Sequence, residues 1–189
     1  MNITPRALAS GIAYTAGAAL IVAGPVMIYE GVHGQHQVKE QLSAQQISFP
    51  PKGNAGLPAA QANYAGQQVV TGGQAKSYAD MIETHIKEAT GGRTYSQVSA
   101  AAMAAPTDTK LAGLKNTAFM GESLRGSLMG AYQAWEVTYL VIGLGVAFGG
   151  LGLATVAVTG LTDVARRKIH VPDNVAALTA KPSTGTPLL

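Results

Sequence analysis

The residues best equipped for chemistry follow the first long apolar stretch. Glu30 and His33 stand three apart, and His36 comes three later. On a helix, Glu-x-x-His spacing puts a carboxylate and an imidazole on one side, as in di-iron bundles, which use two such motifs with further glutamates. Here the motif occurs once, so the ligand set is incomplete unless folding adds His85 with its neighbours Glu83 and Glu88. On that reading Glu30, His33, His36 and His85 are ligands of a metal-dependent membrane enzyme; on the other they are polar residues at the mouth of a span. Gly121-Glu-Ser-Leu-Arg125 departs from the Gly-x-Ser-x-Gly nucleophile elbow at its last position. Absence of cysteine removes thiolate ligands, thiol nucleophiles and disulfides. The leading expectation is therefore a non-enzymatic accessory subunit of a larger inner-membrane complex, with no catalytic, cofactor or metal residue and no identified small-molecule substrate; the alternatives are the metal-dependent membrane enzyme and an extracytoplasmic sensor or binding module.

The elements that would hold these residues are set by charge. Charged residues make up 12% of the chain, about half of the roughly 25% usual in soluble domains. The deficit lies in residues 7–29 and 137–162, which carry no charge at all. A helix crossing a bilayer needs about 20 mostly apolar residues, because each amide in hydrocarbon must be paired internally. The expected fold is mainly α and membranous: two transmembrane helices in an antiparallel hairpin, with a largely helical extracytoplasmic region between them. Neither span holds an ionisable residue other than tyrosine, which argues against a pump or transporter acting alone. A cleaved leader fits residues 7–29 poorly, since the apolar run is long and Pro25–Tyr29 offers no small-x-small site.

Lys and Arg beside a span stay on the cytoplasmic side. Arg166, Arg167 and Lys168 follow the second span and Arg6 precedes the first, so both termini are expected in the cytoplasm of a cell whose inner membrane holds the chain. Residues 30–136 then lie outside. They carry eight Lys/Arg and eight Asp/Glu, and the chain's net charge of +3 is too small to suggest nucleic acid. Tyr132, Trp135 and Tyr139 are placed to form an aromatic belt at the outer interface.

Within the outer region the pattern predicts a helical extension over 30–46, ended by Pro50-Pro51. A Gly-, Ala-, Asn- and Gln-rich loop over 47–75 follows, poor in core formers, with a short extended piece at 67–71. A helix over 77–90 starts at Ser77 with Asp80 in capping-box spacing and closes at Gly91-Gly92. Thr94 and Gln97 start an alanine-rich helix stopped by Pro106, and helical residues over 108–136 run into the second span, with room for a break at a glycine. The tail is 163–189.

Two sets of residues suggest partners other than lipid. Gly145 and Gly149 form a GxxxG pair that Gly152 continues, and Gly17 is among the small residues of the first span. Such faces let helix backbones approach closely, either within this chain or against another membrane subunit. Tyr78, Ile82, His85 and Ile86 form a stripe on the outer helix, expected to face a partner.

The blocks 79–95 and 117–128, together with Gln45-Gln-Ile-Ser-Phe-Pro50, resemble an uncharacterised family of two-span actinobacterial membrane proteins. Members often carry the label of aromatic-ring-opening dioxygenase, an activity needing a specified iron site and a substrate cavity that these residues do not spell out. The resemblance covers most of residues 7–160 and implies an architecture and a cell-envelope setting, not an activity.

Overall fold

Long apolar runs without interior turn signals propagate as helices once nucleated. The computed structural model, which describes residues 5–169, is accordingly mainly helical: α1 (Pro5–Ala44), a 3-10 helix (Ala59–Tyr64), α2 (Gly72–Thr90), α3 (Tyr95–Ala104) and α4 (Thr109–Ile169). Among the described residues there is no strand, only an isolated antiparallel bridge between Ser48 and Gln68 within the expected extended piece. Helix α1 continues through Pro25. Helix α4 runs unbroken for 61 residues despite its glycines, so the break allowed at a glycine does not occur. Helices α1 and α4 are each long and apolar enough to cross a membrane, and 11% of the most apolar window of each is buried. A core helix of a soluble protein would be mostly buried there.

Two boundaries differ from the sequence expectation. Helix α2 starts at Gly72, not Ser77. Thr71 is its N-cap and accepts from the Gln74 amide, while the Gln74 side chain accepts from the Thr71 amide. The reciprocal pair satisfies two otherwise orphaned donors. Ser77 and Asp80 lie inside the helix, where Asp80 pairs with Lys76 at 2.7 Å. The second difference is the stretch 47–75, which is less a loop than part of the core. Phe49 (2% exposed) and Val69 (0%) are buried with Leu42, Ala75, Ala79, Met81 and Leu128. At the other end of α2, Gly91 closes the helix at φ 63°, a backbone region that disfavours side chains. Helix α3 is capped by Thr94 and Gln97 in the same reciprocal way and ends before Pro106.

The chain divides into two compact units, Met1–Pro25 with Val146–Leu189, and Val26–Gly145. In the first unit, α1 and α4 meet backbone to backbone. A methyl added to Gly152 would stand 2.7 Å from the Gly17 carbonyl oxygen and 2.8 Å from the Ile21 nitrogen. Ser10 and Tyr14 hydroxyls each reach Asp163 at 3.4 Å, so partners on α4 fall in number as those on α1 rise. Thr15, Thr155, Thr159 and Thr162 donate to carbonyls three or four residues back, which satisfies them within their own helix. In the second unit, α2 and the 47–71 segment pack on α4 and on the later part of α1 around Phe49.

Candidate functional site

The predicted partner-facing stripe on α2 turns inward. Ile86 is buried, Tyr78 and Ile82 pack against the Phe49 cluster, and His85 is half-buried. The cause is Gly121 on α4: a methyl there would stand 2.6 Å from Ile86, so the absent side chain lets Ile86 seat on the helix. Tyr78 meets Phe49 edge-on at 5.1 Å, and burial raises its phenol pKa. The stripe is thus partly covered from within the chain, which periodicity could not supply because a stripe shows only that something covers it.

Surface left apolar in this unit lies elsewhere. Met103 (70% exposed), Met120 (62%) and Phe119 (54%) are open to solvent, with Tyr95 in ring contact with Phe119 at 5.7 Å and Leu124 partly covered. Sequence reading placed Phe119 and Leu124 on a helix and missed their exposure. Their spacing of five carries no clear one-face signal.

Charged residues near α2 form a bridge to α4. Glu83 accepts from Lys87 at 2.7 Å and from Arg125 at 2.5 Å, and Arg125 also reaches Glu122 at 3.3 Å. The Lys87 hydrogen bond, then the Arg125 charge, hold the Glu83 carboxyl below its ordinary range. Arg125 Nε is buried without a partner. On the exposed side of α2, the hydrogen bond to Asp80 raises the Lys76 ammonium.

The proposed ligand set is not assembled. Among the described residues no group of three or more His, Cys, Asp or Glu is placed to hold a metal ion. His33 Nε2 lies 3.0 Å from the Gln37 amide nitrogen and its ring stacks on Tyr29, while His36 pairs with Glu40 at 3.2 Å. Glu30 is exposed, and His85 sits on α2. His33 and His36 are thus engaged in local helix pairs one turn apart.

Of the helix-packing residues, Gly17 and Gly152 make the close approach, and Gly145 is buried. Gly149 has nothing within 4 Å of an added methyl, so the GxxxG pair as spaced does not form one contact face. Arg166 is exposed at the end of α4; the side chains of Arg167 and Lys168, and the tail from 170, lie outside the described residues.

Two grooves occur in the second unit. One of about 450 Å³ lies between Val38, Leu42 and Ile47 on one side and Leu124, Leu128 and Ala131 on the other. The second, of about 420 Å³, is lined by Tyr29, Val32, His33, Gln35, His36, Lys39 and Trp135. Comparison with known proteins finds no matching family model, no matching curated protein and no matching solved structure.

Proposed function

We propose that this chain is a non-enzymatic accessory subunit of a larger inner-membrane complex. Residues 7–29 and 137–162 are its antiparallel membrane spans, both termini are cytoplasmic, and residues 30–136 cover a partner's extracytoplasmic face. The family it resembles, two-span actinobacterial membrane proteins, would share this arrangement. The observation that carries the reading is apolar surface left uncovered outside the charge-free stretches: Met103, Phe119 and Met120. Exposed apolar patches beyond isolated residues mark protein or membrane contacts. The low burial of the apolar windows in α1 and α4 supports lipid around the spans.

The test is affinity purification from native membranes in gentle detergent, with mass spectrometry and native sizing. A large membrane complex should co-purify in stoichiometric amount, and Phe119→Asp with Met120→Asp should release it while the chain stays folded. A clean monomer or homodimer overturns the reading.

A further inference from the structure

The groove lined by Tyr29, Val32, His33, Gln35, His36, Lys39 and Trp135 has the chemistry of an anion site, not of a closed packing defect. Its volume of about 420 Å³ falls within the range of small-molecule sites. Three features bear on what would fill it. Gln35 Nε2 is buried with no hydrogen-bond partner, and buried donors are rarely left unmade. Lys39 is exposed and, among the described residues, has no carboxylate within ion-pair distance. The acids nearest in sequence, Glu30, Glu40 and Glu136, do not line the groove, and Glu40 is taken by His36. The lining is mostly apolar, with Lys39 and the Gln35 amide as its free polar groups and no acid among the lining residues.

Its position selects the source of the anion. Tyr29 is the last residue of one charge-free stretch, and Trp135 stands two residues before the other begins. Tyrosine and tryptophan at such ends sit at headgroup level. The two helices approach closely here at Gly31, whose added methyl would stand 2.5 Å from Ile142, and Gly72 of α2 seats against the Trp135 side chain. Val26, Val137 and Leu140 remain exposed on the same helices, an apolar surface for acyl chains.

We propose that this groove binds the phosphodiester headgroup of an anionic phospholipid, with Lys39 beside the phosphate and the Gln35 amide donating to one of its oxygens. The proposal rests on the membrane reading above.

Trp135 is the only tryptophan in the chain and lines the groove, so its fluorescence reports occupancy. The full chain in neutral detergent is titrated with short-chain phosphatidylglycerol, phosphatidylcholine of equal chain length, and inorganic phosphate. Phosphatidylglycerol should give a saturable change in Trp135 emission. Lys39→Gln and, independently, Gln35→Leu should each weaken it about tenfold, the size expected for loss of one charge-assisted hydrogen bond. Equal response to phosphatidylcholine with no effect of either variant overturns the site. A full response to inorganic phosphate alone overturns the lipid as its source. Flotation with vesicles separates the two readings: wild type and Lys39→Gln should both float, failure of wild type to float overturns the membrane reading, and flotation without a Trp135 response overturns only the headgroup site.

Discussion

The unit of residues 26–145 builds its core from large side chains, some of them seated on glycines such as Gly72 and Gly121, whereas the unit containing residues 5–25 and 146–169 brings two backbones together at Gly17 and Gly152. In the first, the Phe49 ring is stacked on Tyr64 at 5.1 Å and meets Tyr78 edge-on, while Val69 is wholly enclosed. In the second, contact is made where side chains are missing, with Gly152 against the Gly17 carbonyl and the Ile21 amide. In residues 26–145 one ion pair joins separate helices, Arg125 of α4 with Glu83 of α2, while in the other unit Ser10 and Tyr14 cross to Asp163 and the threonines of α4 turn back on their own helix. The contrast has a physical source. The proposed membrane setting would account for it: water rewards burying large apolar side chains, whereas lipid tails are already apolar, so helices in lipid gain chiefly by close backbone approach.

The largest expected effect tests the bulk-packed side. Phe49→Ala should cost about 3–5 kcal/mol, the usual range for an enclosed aromatic ring. Hydrogen exchange on the detergent-solubilised chain should show loosening in α2 and the 47–71 segment while α1 near Gly17 stays protected. Equal loosening at both places would break the division into two packing modes. Gly152→Ala comes next, at about 1–3 kcal/mol for overpacking against atoms that cannot step aside. Its added methyl meets backbone, so the helices themselves must separate. Thermal unfolding in detergent should fall for Gly152→Ala and not for Gly143→Ala, which meets nothing within 4 Å.

A smaller effect is set by pH. The Glu83 carboxyl is held low by the Lys87 hydrogen bond and then by the Arg125 charge. A carboxylate depressed in the folded state contributes stability above its unfolded pKa and loses it as pH falls through the folded value. Unfolding temperature should therefore decline from neutral pH into the acid range, and Glu83→Gln should be less stable at neutrality with a shallower acid decline. An identical slope in both proteins would leave the bridge without an energetic role. Because the pair is about one-third exposed, solvent screening keeps the effect modest.

How far the sequence carries can be judged from particular residues. Absence of charge marks 7–29 and 137–162 directly, since no tertiary detail is needed to see that a segment is apolar and long enough to span a bilayer. The Thr94–Gln97 cap was equally legible, being a local reciprocal bond. The same signal stands at Thr71 and Gln74, but both fall in the stretch whose composition reads as a loop, so the expected start of α2 is Ser77. Phe49 and Val69 were illegible as core because their neighbours are Pro, Gly, Ala and Gln; the bulk that encloses them comes from α1, α2 and α4. The α2 stripe and the glycines share one limit. Spacing gives a face but not its occupant, and only the position of Gly121 or Gly17 across the contact decides it.

Gly149 gives the smallest expected change and bears most directly on assembly. A methyl on it meets nothing within 4 Å, although it shares GxxxG spacing with the buried Gly145. In the isolated chain, Gly149→Ala should not lower stability, because its added methyl meets no other atom within 4 Å. If the Gly149 face meets another subunit, the same substitution should lower the amount of complex recovered from native membranes while the purified chain unfolds at its usual temperature. A loss of chain stability comparable to that of Gly152→Ala would instead put Gly149 in the internal contact and remove the distinction between the two glycines. Unchanged stability with unchanged recovery would assign the face to lipid, leaving Met103, Phe119 and Met120 as the surface through which a partner must bind.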